Sequence, residues 1–237
     1  PIASEGIYLK SAFLFIQGGD HVAAEGALKS ILNHPELNKS HPVVNCILGE
    51  MALLESDKVE DALKYFEAMK GSSVDQEIEA RMLWGMGRCN HLLGNMSSAS
   101  DLLYRAINIS KNNDLRAGIL YSEGLLKMSE SDWVRAAEDF DRAISSKSAE
   151  APLVLNDAAR YMQIKAVLEA TGLAEAEPIL ERLRNTASPL LNNALLMMIQ
   201  GAERRGRMDD ANKFLVELRQ REPEKNLLAA AELEHIR

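Results

Sequence analysis

The histidines and cysteines are the residues of this sequence that could bind a metal ion. None of its five histidines pairs with another at the His-x3-His or His-Glu-x2-His spacing that puts two ligands on one helical face. His34 and His41, with Glu36 between them, share a predicted loop. Because each of these histidines is followed by proline, the pattern is more typical of turns. The sequence therefore predicts no metal site.

Residues that could act as nucleophiles do not have the spacing that catalysis requires. Cys89 and His91 are two residues apart on a predicted helix, so their side chains point about 200° away from each other. The glycines at 85 and 87 lack the third glycine and the preceding strand of a dinucleotide-binding motif. No phosphate-binding loop or nucleophile elbow is present. We predict a protein that is not an enzyme, with no catalytic residue and no cofactor.

Charged clusters and free thiols also have a structural interpretation. Asp139 and Asp141 lie near arginines on a predicted helix, which indicates an ordinary solvated face. The basic cluster at residues 204, 205 and 207 is interpreted in the same way. Cys46 and Cys89 are too few for a disulfide scaffold, and we predict that both are free, reduced and structural.

The composition indicates a helical globular chain. Of 237 residues, 46% are hydrophobic, 26% are charged and only 5% are aromatic, and good helix formers are abundant. The net charge of −8 argues against general nucleic-acid binding. The uncharged stretch at residues 188–202 is shorter than the ~20 apolar residues of a membrane span. We expect a cytoplasmic location by default, although the first residue, Pro1, is also consistent with a fragment lacking its targeting segment.

A repeated pattern of small residues organises the chain. The clearest unit, residues 83–107, has small residues at Gly87, Gly94, Ala99 and Ala106. This spacing predicts two antiparallel helices that approach at Gly87 and Ala99, with a turn at Gly94. The apolar residues predicted to fill the seam between them are Leu83, Met86, Leu93, Leu102 and Leu103.

The same pattern recurs along the chain at intervals of about 37 residues. Equivalent small or apolar positions of the first helices fall at residues 12, 49, 87, 124 and about 164 and 199. We predict one domain, residues 1–237, ending in a cap helix at 224–237. Its six predicted repeats span about 5–34, 42–70, 77–109, 114–147, 153–186 and 189–222.

These units resemble the tetratricopeptide repeat (TPR) family. The third unit matches the family signature at Leu83, Gly87, Gly94, Ala99 and Ala106, and the fourth matches it at Leu120, Gly124, Trp133, Ala136, Phe140 and Ala143. Intervals of about 37 exceed the family's 34 residues and imply longer connections. The resemblance implies an all-α fold, a right-handed α-α superhelix, whose concave groove is lined by the first helices and holds a peptide or partner helix.

The resemblance also assigns side chains to that groove. The predicted partner-binding residues are Arg81, Trp84, Arg88, His91, Tyr121, Leu125, Met128 and Gln200, with neighbours that include Cys46, Glu50, Leu53, Asn193, Leu196 and Glu203. Aromatic rings between two arginines suit an apolar and acidic peptide. The alternative is that Trp84 and Tyr121 pack between repeats.

We therefore predict a protein–protein interaction scaffold or adaptor, within a secretion, pilus or cell-envelope assembly. One alternative is a regulatory or sensor domain of a multidomain protein. Another is self-assembly into a homo-oligomer, in which the repeat ends, or the C-terminal part, dock onto a second copy. That C-terminal part, residues 203–237, has eight basic and eight acidic residues, whereas the rest of the chain is acidic.

Overall fold

A computed structural model describes residues 2–55, 57–146 and 153–235. These residues form α-helices joined by short turns, with a 3₁₀ turn at Pro35–Leu37. The helices are α1 (Ile2–Gln17), α2 (His21–Leu32), α3 (His41–Ala52), α4 (Val59–Glu67), α5 (Gln76–Leu92), α6 (Met96–Ile109), α7 (Asn113–Ser129), α8 (Trp133–Ser146), α9 (Leu153–Ala170), α10 (Leu173–Asn185), α11 (Leu191–Glu203), α12 (Met208–Gln220) and α13 (Lys225–His235). They form two compact units, Pro1–Leu115 and Arg116–Arg237, which we call unit 1 and unit 2.

Polar residues and glycine define several helix ends in unit 1. The Asp20 carboxylate accepts a hydrogen bond from the Ala23 amide at 3.0 Å and caps α2. Asp75 caps α5 in the same way, accepting from the amides of Glu77 at 2.9 Å and Ile78 at 3.0 Å. Between α5 and α6 the chain turns at Gly94, whose φ of +81° favours glycine.

The Phe66 ring is the main packing element between α3, α4 and α5. It is fully buried, and it lies against the backbone of one glycine on each neighbouring helix. A Cβ atom at Gly49 of α3 would lie 2.6 Å from Phe66 Cζ, and one at Gly85 of α5 would lie 2.3 Å from it. Glycine at both positions is therefore what lets these helices close around the ring.

The α5–α6 seam has the predicted small residues at its closest approach. Ala99 is fully buried, and a Cβ at Gly87 would lie 2.9 Å from Leu103 Cδ2. The assignment of Leu93 to this seam is wrong, because its side chain is 36% exposed. Leu93 follows the last residue of α5, where the chain turns away from the seam toward Gly94.

The loop between α6 and α7 is fixed by one carboxylate. Glu77, in the first turn of α5, accepts hydrogen bonds from Ser110 Oγ at 2.7 Å and from the Lys111 and Asn112 amides at 2.6 and 3.2 Å. Burial by itself raises the pKa of Glu77, but these hydrogen bonds outweigh it and hold the pKa below its usual value. Glu77 thus ties the loop that follows α6 to the first turn of α5.

Unit 2 has its own core. Phe140 of α8 is fully buried beside Gly124 of α7, where a Cβ would lie 2.7 Å from the ring. A larger apolar cluster joins α9 to α13, with Leu168, Leu180 and Phe214 among its buried members. Arg184 of α10 forms a bidentate ion pair with Glu217 of α12, at 2.8 Å from Nε and 2.5 Å from Nη2.

The described residues thus have the all-α architecture that the sequence predicts. The extents of the six repeats and their union in one domain stay predictions. No helix in the described ranges is long and apolar enough to cross a membrane.

Candidate partner-binding grooves

A groove of about 630 Å³ lies in unit 1, between the first helices of its repeats. Its apolar wall comes mainly from α3, and its cationic wall comes from α5. The lining residues are Ile16, Ile47, Glu50, Met51, Leu54, Arg81, Trp84, Arg88, Asn112, Asp114 and Leu115. Three of the predicted partner-binding residues, Arg81, Trp84 and Arg88, line this one groove.

Arg88 and Trp84 form a stacked pair in the groove. The guanidinium carbon of Arg88 lies 5.4 Å from the centre of the Trp84 ring, within the range of a cation–π interaction. Both side chains are half-buried, and burial lowers the pKa of Arg88 from its usual value. Among the described residues no carboxylate lies within ion-pair distance of Arg88. A partly desolvated guanidinium, held within cation–π distance of a ring, is a donor for a ligand carboxylate.

Arg81 is engaged differently. Its Nη1 lies 3.3 Å from Oε1 of Glu50 on α3, and both side chains are partly exposed. The Cys46 thiol, one turn from Glu50 on α3, lies 3.9 Å from the same carboxylate oxygen. The two arginines of the groove are therefore not equivalent, because Arg81 is paired with Glu50, whereas Arg88 has no carboxylate within ion-pair distance among the described residues.

The groove also contains residues that the sequence analysis missed. Ile47 and Met51 of α3 supply apolar surface, together with Leu54 just beyond the end of α3, which is 71% exposed. In the sequence, only their position could have assigned them to the groove, because they lie within one turn of the predicted neighbours Cys46, Glu50 and Leu53. His91, in the last turn of α5, is half-buried and does not line this groove.

In unit 2, three predicted groove residues on α7 contact the core. Tyr121, Leu125 and Met128 are half-buried and pack against the cluster of Ala136, Phe140 and Ala166. The ring centres of Tyr121 and Phe140 are 5.6 Å apart at an interplanar angle of 55°. Burial raises the pKa of Tyr121. This packing accounts for the apolar character of the three residues without a ligand, and their binding role stays a prediction.

A second groove, of about 310 Å³, lies between the first helices α9 and α11 of unit 2. It contains the predicted residue Gln200 beside Asn193, Leu196 and Lys165. Arg204 at its edge is paired with Glu169 of α9 at 2.6 Å. The neighbouring Arg207 is paired with Asp210, also at 2.6 Å. These two arginines of the basic cluster are therefore engaged in ion pairs within the chain.

Asp139 does not belong to a solvated face. Its side chain is buried and lies 2.8 Å from Arg142 Nη1, one turn away on α8. Burial raises the pKa of Asp139, and Arg142 partly offsets this effect. The pKa of Glu123 on α7 is raised to about 7, first by burial and then by the charge of Asp139. The sequence analysis assigned Asp139 to a solvated face from helical periodicity alone. Burial of this residue depends on packing against another helix, which the local sequence does not show.

Both thiols are free, as predicted, and both are buried. Burial raises the pKa of Cys46 to about 12 and that of Cys89 to about 11, so neither is a nucleophile near neutral pH. In the part of the chain that the structure describes, no three His, Cys, Asp or Glu side chains are placed to hold a metal ion.

Comparison with known proteins identifies the fold. No family model matches the sequence, and no curated protein resembles it significantly. Among solved structures, PilW, described as a widely conserved type IV pilus biogenesis factor, has a TM-score of 0.72 at 15% identity, covering 94% of this chain and 96% of its own. Pseudomonas aeruginosa pilF has a TM-score of 0.65 at 17% identity, covering 98% of each chain.

A third structure, YrrB, is described as a TPR protein with an unusual peptide-binding site. Its TM-score is 0.59 at 18% identity, covering 86% of this chain and 98% of its own. Together with the helix packing described above, these similarities show that the chain has the tetratricopeptide repeat fold. The predicted resemblance and all-α fold class are confirmed at this level.

Proposed function

We propose that this protein is an interaction scaffold that binds an apolar and acidic peptide, or partner helix, in the groove of unit 1. The observation that carries the proposal is the Arg88–Trp84 stack, which presents a guanidinium with no carboxylate partner among the described residues. Ile47, Met51 and Leu54 supply the apolar surface opposite it. A ligand carboxylate would bind Arg88 while its apolar side chains cover α3.

The similarity to pilF and PilW supports a finer proposal, in which the scaffold works in a pilus, secretion or cell-envelope assembly. A regulatory or sensor role within a multidomain protein is the alternative. Both proposals use the same groove, so the chemistry of the bound peptide can be tested before the assembly is known.

The test is selection from a random peptide library displayed with free C-termini, followed by fluorescence anisotropy with the selected peptides. We expect wild type to enrich peptides that combine a carboxylate with Leu, Ile or Phe. Arg88→Ala should weaken their binding by roughly 10- to 100-fold, the range of a hydrogen bond to a charged group. Arg88→Lys should restore only part of the affinity, because an ammonium lacks the planar fork of donors with which a guanidinium binds a carboxylate.

The matched control is Arg105→Ala, which removes an exposed arginine from α6, a helix that does not line the groove. Circular dichroism must show equal helicity in all variants. Selection of basic peptides, or equal affinity in the Arg88→Ala and wild-type proteins, would contradict the proposal.

A further inference from the structure

A cavity of about 480 Å³ lies between α8 and α9 of unit 2. Four of its lining residues, Ala137, Glu138, Asp141 and Arg142, belong to α8, and Gln163 belongs to α9. The cavity shares no lining residue with the groove between α9 and α11. It is therefore a separate feature of unit 2.

The α8 side of the cavity has an excess of negative charge. Glu138 and Asp141 are three residues apart on α8, so their side chains are neighbours on the helix surface. Both are exposed, and among the described residues neither has a cation within ion-pair distance. Arg142 lies 2.8 Å from Asp139, so its charge is offset by a carboxylate that does not line the cavity.

Gln163 is the buried polar residue of the cavity. It is only 7% exposed, although glutamine is ordinarily a surface residue. Its amide nitrogen donates a hydrogen bond to Asp141 Oδ1 at 3.3 Å, whereas within the described ranges its amide oxygen has no partner. Asn156 and Arg160 of the same helix also have one unpartnered atom each, but neither lines the cavity. A buried acceptor without a donor lowers stability, so a ligand that donates to it gains affinity.

The repeat architecture does not require an amide at this position. Gln163 directly precedes the small or apolar position of its first helix, which lies at about residue 164. The equivalent residue is apolar and buried in α3, α5 and α11, as Leu48, Met86 and Met198. It is polar in α1 and α7, as Ser11 and Glu123. An apolar side chain can therefore occupy this position, and helix packing alone does not explain the amide.

We infer that this cavity binds an arginine side chain of a partner protein. A guanidinium carries its N–H donors in a planar fork, so it can donate to Asp141, to Glu138 and to the unpartnered oxygen of Gln163. Ala137 offers apolar surface to the aliphatic part of the side chain. The ammonium of a lysine supplies the charge, but as a compact group it reaches fewer of these acceptors. The choice of a protein as the source rests on the proposed scaffold function, whereas the binding of a guanidinium does not.

The test is an NMR titration of the isotope-labelled full chain with the N-acetyl, N-methylamide derivatives of arginine, lysine and citrulline. The side-chain amide signals of Gln163, assigned by their loss in Gln163→Met, report directly on the cavity. We expect the arginine derivative to shift them in a saturable way at millimolar concentration. The lysine derivative should bind more weakly, and the citrulline derivative, which has a similar shape without the charge, should not bind.

Two variants test the acceptors, with the backbone signals of α8 as the readout. Asp141→Asn should weaken binding of the arginine derivative by roughly tenfold or more, because it removes a charged acceptor. Gln163→Met should also weaken binding without lowering the free energy of unfolding, because it removes the unpaired oxygen along with the amide. The matched control is Asp101→Asn, which removes the same charge from an exposed position of α6 in unit 1 and should leave binding unchanged.

Free arginine tests the source of the guanidinium. Its α-carboxylate is repelled by the carboxylates of α8, so it should bind more weakly than the derivative, which imitates a residue within a protein chain. Equal or tighter binding of free arginine would overturn the assignment to a protein side chain.

Four results would overturn the binding of arginine itself: no response to the arginine derivative, equal binding of the lysine derivative, equal binding of the citrulline derivative, and unchanged affinity in Asp141→Asn. Arg88→Ala should not alter any of these titrations, because Arg88 lies in the groove of unit 1. This inference and the proposed function therefore fail separately.

Discussion

At the scale of single residues, the two arginines of the unit 1 groove show what sequence position can and cannot establish. The repeat pattern placed Arg81 and Arg88 on one helix, two turns apart, and in the structure both line the groove of unit 1. Only the structure shows that Glu50 pairs with Arg81 while Arg88 stacks on Trp84. Which side chain an arginine contacts depends on how the helices pack. The residue type at a single position does not reveal that contact.

The Glu123 carboxyl group gives a pH dependence with a definite sign. Its folded-state pKa of about 7 lies above that of an unfolded glutamate, so protonation stabilises the fold. This contribution is complete below the unfolded pKa and is lost as pH rises through about 7. Asp139 opposes ionisation of Glu123, and Arg142 and Lys127 partly offset it.

Glu123→Gln should therefore raise the free energy of unfolding above pH 7 by roughly 1–3 kcal/mol, and this difference should shrink as pH falls from about 7 and vanish below the unfolded pKa of 4.5. Thermal melts at pH values from below 4.5 to above 7 measure this difference. Glu138→Gln, an exposed neighbour on α8, should leave the pH profile unchanged. Equal pH profiles for wild type and Glu123→Gln would show that this carboxyl group titrates normally.

At the scale of helices, two glycines that both lie inside a helix should have opposite effects on stability. Gly85 lies against the Phe66 ring, whereas a Cβ at Gly26 of α2 would have no neighbour within 4 Å. Gly85→Ala should destabilise the protein by roughly 1–3 kcal/mol through overpacking, even though alanine is the better helix former. Gly26→Ala should stabilise it by roughly 0.5–1 kcal/mol.

Urea denaturation of the two variants measures both signs. Because the predicted clash is with one ring, Phe66→Leu should reduce the cost of Gly85→Ala in a double-mutant cycle. A Gly85→Ala variant as stable as wild type would show that α4 and α5 can separate without loss.

Helices and turns were the part of the structure that the sequence predicted best. Gly94 and the small residues Gly87 and Ala99 act locally, through backbone conformation and close approach, so their spacing is informative. Leu93 and Asp139 were misplaced because each depends on where the next helix lies. The contact of Tyr121 with Phe140 belongs to the same class, since one residue's difference in register decides which way a ring points.

At the scale of the whole molecule, the two tryptophans of the sequence report on different units. Trp84 lies in unit 1 and Trp133 in unit 2. Stability in repeat arrays is approximately a sum of local terms, so damage in one unit should be felt first there. Trp84→Phe and Trp133→Phe each leave one fluorescent reporter.

In these backgrounds, Leu103→Ala, at a fully buried site of unit 1, should cost roughly 2–5 kcal/mol. We expect the urea midpoint reported by Trp84 to fall further than that reported by Trp133. Equal shifts at both tryptophans would mean instead that the chain unfolds in one cooperative step.

The Phe66 ring between Gly49 and Gly85 also bears on how such an array can be divided and recombined. These three residues lie on α3, α4 and α5, and the last of these helices begins the next helix pair. If the helix pair that begins with α5 were replaced by one from another array, the residue in place of Gly85 would change. Gly49 and the Phe66 ring would stay the same. The transferable module is therefore a pair together with the first helix that follows it, and chimaeras cut between α4 and α5 would have to keep glycine at both positions.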